Sequence, residues 1–139
     1  MRKKQVLGLL TVLIMITIVA CASLWKEKTT ATYESIGNVL ASIQQGAKST
    51  CDQGLIKPDD CVKLRDSYNK ARQVYIVAGD TLIEAMNIEE LYKETSDVIK
   101  KKELKEKMEI LIKKYQGLIL ELNNLYKEYI DMATKMGVR

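Results

Sequence analysis

Residues 104–132 read LKEKMEILIKKYQGLILELNNLYKEYIDM. Leu104, Met108, Leu111, Tyr115, Leu118, Leu122, Leu125, Tyr129 and Met132 follow one another at alternating steps of four and three. That repeat keeps side chains on one side of an α-helix. Ile112, Ile119, Tyr126 and Ile130 widen the stripe along one flank, so this helix can touch two neighbours rather than one.

Two such neighbours lie upstream. After Pro58 the same spacing runs through Cys61, Leu64, Tyr68, Ala71, Tyr75, Ala78, Leu82 and Ala85, with Val74 and Ile83 beside it, and predicts a helix ending near Met86. Before it, Ile36, Leu40, Ile43 and Ala47 predict a helix from Tyr33 to about Thr50. Between the second and third stripes the pattern is mixed: Asn87 can cap Ile88 to Glu94, and Thr95-Ser96-Asp97 offers a second start, so a kink or break is expected there. The fold class that follows is all-α, an antiparallel three-helix bundle made of a helical hairpin plus a long C-terminal helix. The alternative is a two-helix hairpin whose long helix self-associates as a coiled coil.

Within the bundle, Leu118 and Leu122 should be deep core. A third helix continuous from about residue 100 to 135 would be roughly 50 Å long and outreach the first. Tyr126, Tyr129, Ile130 and Met132 are therefore expected to pass the tip of the hairpin, stay part-exposed and offer a partner face. The seven Tyr with no Phe fall at heptad positions and read mainly as core or half-buried fillers whose hydroxyls reach the rim.

Cys51 and Cys61 flank Asp52-Gln53-Gly54-Leu55-Ile56-Lys57-Pro58-Asp59-Asp60, a segment with a Gly to end one helix and Pro-Asp-Asp to begin another. A disulfide between them would staple the turn. Metal ligation and redox catalysis are the weaker readings, because the chain has no His, nine residues separate the thiols and no Cys-x-x-Cys occurs.

The N-terminal end is different in kind. Met1-Arg2-Lys3-Lys4 is a short positive start, and Val6 to Ala20 carries no charge and only Thr11 and Thr17 as polar side chains. This is the layout of an export signal. As a helix the apolar run spans roughly 22 Å, short of the ~30 Å hydrocarbon core of a bilayer. A retained transmembrane anchor, extended to Trp25, is the competing reading.

The run closes on Ile18-Val19-Ala20-Cys21, which resembles the lipobox of bacterial lipoproteins: aliphatic, small or aliphatic, small, then Cys. Ile18 stands where Leu is commoner, and the resemblance covers residues 1–21 alone. It implies that residues 1–20 are a signal peptide removed on export. It further implies that Cys21 carries a diacylglyceryl group and that the new amino terminus is acylated, by palmitate or a similar chain. Ala22 lacks the Asp that retains such lipoproteins in the inner membrane of many Gram-negative bacteria, which favours the outer membrane if the source is Gram-negative. Residues 21–32 then read as a short polar tether, with Trp25 suited to a membrane interface, and 33–139 as the helical domain of the cell envelope, facing the periplasm or the exterior.

Chemistry is sparse in the remainder. Of 22 Lys and Arg, three lie in the leader, leaving 19 against 18 Asp and Glu. A near-neutral mature chain lacks the basic character of a nucleic-acid binder. Without His the commonest general base and metal ligand is missing, and there is no Gly-x-Ser-x-Gly, Walker or Rossmann motif. No enzymatic activity, cofactor, metal or small-molecule substrate is expected. Asp59-Asp60 and Glu89-Glu90 read as helix starts, where carboxylates meet the positive end of the dipole.

Lys100, Lys101, Lys102, Lys105 and Lys107 alternate with Glu103, Glu106 and Glu109 and read first as a solvated face. Topology adds a second reading. The turn before helix three lies at the membrane-proximal end, where these lysines could meet anionic head groups. The expected function class is a membrane-anchored interaction or spacer module with a protein partner. The alternatives are an exclusion or inhibitor lipoprotein of the kind carried by prophages and plasmids, and a structural tether that homo-oligomerises through its long helix.

Overall fold

The computed structural model describes residues 24–138. It is an all-α three-helix bundle: α1 Leu24–Asp52, α2 Pro58–Glu94 and α3 Val98–Lys135. Ser35–Arg139 forms one compact unit, and Met1–Glu34 groups separately. Among the described residues there is no strand, and no helix is long and apolar enough to cross a membrane. The leader and Cys21 lie outside the described residues.

Two helix boundaries differ from the periodicity reading. α1 begins at Leu24 rather than near Tyr33, so the segment expected as a polar tether is helical from that point. Lys, Glu and Ala there favour helix without supplying an apolar stripe, and stripes are what periodicity detects. α2 runs through Asn87 to Glu94 without a break, because Ile88 and Glu89 prolong the 3.5-residue repeat into buried positions. The interruption falls at residues 95–97, where the second start signal was read.

Local chemistry explains each end. α1 stops at Gly54, whose φ of 68° few other residues tolerate. There Gly54 N–H donates to the Cys51 carbonyl at 2.9 Å and Leu55 N–H to that of Thr50 at 3.1 Å, the paired closing bonds of a Schellman motif. Pro58, Asp59 and Asp60 then open α2. The Asp97 carboxylate caps α3 by accepting from the amides of Ile99 at 2.8 Å and Lys100 at 3.2 Å. At the far end Gly137 repeats the first device with φ 80°, and Val138 folds back onto the core.

α2 and α3 are the closest helix pair. α1 completes the core with Leu40 and Ala47, which cluster with Leu64, Ala71, Leu122, Tyr129 and Ala133 under a lid formed by Ile56. Rings fill the space between these elements: Tyr68, Tyr75 and Tyr126 pack around the cluster, and Tyr68 meets Tyr129 tilted at 53° with centroids 6.0 Å apart.

The core places Leu122 at 0% exposure, as the stripe predicts, whereas Leu118 is only half-buried. Leu122→Ala should therefore cost about 2–5 kcal/mol of unfolding free energy, and Leu118→Ala distinctly less. Urea denaturation of the two variants side by side measures the difference, and equal losses would contradict the placement of these leucines.

Candidate functional site

Three regions carry residues able to do something beyond packing. The first lies over the turn between α1 and α2. Cys51 and Cys61 are joined there, with Cα atoms 6.0 Å apart, inside the usual disulfide range. Beside the bond runs an open groove of about 420 Å³ between the end of α1 and the start of α2. Its floor is Tyr68, Tyr129 and the disulfide, and its rim is Gln44, Lys48, Asp52, Arg65 and Asn69.

The position of Tyr129 corrects the expected partner face. Its ring is a core element of the bundle, 1% exposed, and it borders the groove from below instead of facing solvent. Tyr126 and Met132 are half-buried against the same core. Ile130 is half-buried outside that cluster. Tyr129 departs from the expected part-exposure because it clusters with Leu40 and Ala47 of α1, Ile56 of the turn and Leu64 of α2, whereas Tyr126, Ile130 and Met132 keep part of their surface open.

Burial has an electrostatic consequence for three phenols. Desolvation raises the Tyr129 hydroxyl from its ordinary 10 to about 12, with Tyr68 adding to the rise. Desolvation followed by Tyr75 does the same for Tyr115. Tyr126 is raised by desolvation alone.

The second region is the lysine run. Lys100 and Lys102 are exposed on the first turns of α3, and Lys101 stands 5.5 Å from the centre of the Tyr92 ring. Lys105 is exposed further along. Lys107 reaches back to Glu84 at 3.4 Å, so the five lysines form no single patch.

Comparison with family models, curated proteins and solved structures gives no match. The third region is one that the sequence reading took for a helix start. Glu89 lies inside α2, 3% exposed, with Lys93 Nζ one turn on at 2.8 Å. The signal was present, since the repeat Leu64, Tyr68, Ala71, Tyr75, Ala78, Leu82, Ala85 lands next on Glu89. Asp59 and Asp60, by contrast, do open a helix.

Chemically, the groove offers two cations of opposite helices, Lys48 and Arg65, over an aromatic floor. Neither has an ion pair among the described residues. Among the described residues no group of His, Cys, Asp and Glu is placed to hold a metal ion.

The raised phenols give a test of the burial. Folded protein keeps these protons between pH 10 and about 12, where the unfolded chain has lost them. The stability they contribute is therefore complete below pH 10 and falls away as pH climbs to 12. Ultraviolet titration should find two phenols ionising last, together with alkaline unfolding. Tyr129→Phe should remove one of them and move the alkaline unfolding midpoint upward, and an unmoved midpoint would contradict this account.

Proposed function

We propose that the chain is a membrane-anchored envelope lipoprotein, held by lipid on Cys21, whose bundle acts as a non-enzymatic module that contacts a protein partner or spaces it from the membrane. The observation that carries this reading is Ile18-Val19-Ala20-Cys21 at the end of an uncharged run behind Arg2, Lys3 and Lys4. Two or three acyl chains on one residue hold a protein at a bilayer essentially permanently, whereas one does so marginally. The anchor therefore needs no transmembrane helix.

The pairing of Cys51 with Cys61 supports export, since disulfides persist in oxidising compartments. The groove beside that bond supports partner binding. It lies at the far end of the bundle from the α2–α3 turn, and Lys48 and Arg65 on its rim complement a partner's carboxylate. The missing histidine and the lack of catalytic motifs support the non-enzymatic part of the reading.

Mass spectrometry of the membrane fraction tests the anchor. Residues 1–20 should be absent and the new N-terminus heavier by two or three acyl chains, and Cys21→Ser should block processing. A mature chain that still begins at Met1 or Arg2 would establish the transmembrane anchor instead. Charge reversal at both Lys48 and Arg65 should leave the thermal melt nearly unchanged, as surface substitutions do, while abolishing partner cross-links in intact envelopes. Cross-links that survive would rule out the groove.

A further inference from the structure

The end of the bundle opposite the disulfide is built against the usual preferences of a helix start in water. Asp97 caps α3, yet the first turn that follows holds no acidic residue. Val98 and Ile99 stand there instead, succeeded by Lys100, Lys101 and Lys102. Cations at this point face the positive end of the helix dipole. Val98 and Ile99 are 80% and 74% exposed, the two most exposed large apolar side chains among the described residues. Leu91, on the last turn of α2, adds a third at 47%. Tyr92 lies beside it under Lys101.

A membrane surface relieves each of these costs. Aliphatic side chains are stabilised at the acyl boundary, lysine stems lie along it with their ammonium groups among the phosphates, and tyrosine favours the interface. The connectivity points the same way. Gly37 lies against Tyr75 and Cys51 against Cys61, so α1 runs antiparallel to α2 and away from the α2–α3 turn.

The chain therefore enters the compact unit from the side of that turn, preceded by the apolar leader and Cys21. From the level of Ser35, α2 has about 27 Å to run before Thr95. With α1 helical from Leu24, the chain between Ser35 and Cys21 reaches about 27 Å, roughly 16 Å of helix and at most about 11 Å of extended chain. A bilayer that holds Cys21 is within reach of the turn.

We infer that the α2–α3 turn is a second, non-covalent membrane contact, in which Leu91, Val98 and Ile99 enter the phospholipid interface and Lys100, Lys101 and Lys102 meet the phosphates. The inference rests on the membrane-anchored reading above. The contact is driven mainly by apolar burial, because Glu90, Glu94 and Asp97 offset the neighbouring lysines. It therefore works on zwitterionic lipid, depends little on salt and fixes the bundle's orientation, which an acyl chain alone leaves free.

The full chain, reconstituted into phosphatidylcholine vesicles that carry a photoreactive diazirine near the head-group end of one acyl chain, tests this directly. After illumination, lipid adducts should concentrate in the tryptic peptide of residues 94–100. Val98→Asp with Ile99→Asp should lower them at least about fivefold, while flotation with the vesicles and the thermal melt are retained. A chain that floats without adducts in that peptide, or whose adducts survive the double substitution, overturns the second contact and leaves the anchor standing. A chain that does not float overturns both.

Discussion

The covalent closure between Cys51 and Cys61 sets the register of the bundle. It joins the last turn of α1 to the first turn of α2 across a turn that Gly54 and Pro58 already bend. Fourteen residues from it along each helix, Gly37 meets the ring of Tyr75. The two pairings agree on one antiparallel alignment. A side chain at position 37 would collide with that ring, so the glycine lets α1 approach at this level at some cost in helix propensity. Closing so short a loop constrains the unfolded chain by roughly 3 kcal/mol on the loop-entropy argument, a large share of a small domain's stability.

The two ends of the molecule have opposite characters as a result. At the closed end the Ile56 turn and Val138 fold onto Leu64, Leu122 and Tyr129, and the groove beside the disulfide has a polar rim with Lys48, Arg65 and Asp52 over an aromatic floor. At the open end the α2–α3 turn is finished by backbone amides donating to the side chains of its own Thr95 and Asp97, yet it exposes Val98 and Ile99. One end carries Lys48 and Arg65 beside tyrosine rings and the other exposes aliphatic side chains ahead of a lysine run, and the proposed anchored module rests on that contrast.

The three helices were legible in the sequence because heptad spacing is a direct consequence of burial on one face. Leu64, Ala71, Leu111, Tyr115 and Leu122 are buried where the stripes put them. The Gly54 and Asp97 signals were legible because each rests on local backbone chemistry alone. Elements without that kind of signature were missed. Leu24 to Thr32 is helical without an apolar stripe. Glu89 does fall on the stripe, but its charge disguises a buried position, where Lys93 one turn on pairs with it. The groove joins Lys48 and Arg65 from different helices, a juxtaposition made by tertiary packing that no local pattern encodes. Tyr129 was misplaced for a related reason, since how far α1 and its turn reach along α3 depends on register.

If the disulfide holds α1 onto an α2–α3 pair that is otherwise self-sufficient, removing it should loosen one helix and spare two. Amide hydrogen exchange of the Cys51→Ala, Cys61→Ala double variant measures this residue by residue. The account predicts a marked loss of protection along α1 from Ser35 to Thr50, with amides around Leu82 and Leu111 nearly unchanged. A uniform loss across all three helices, or none in α1, would contradict it.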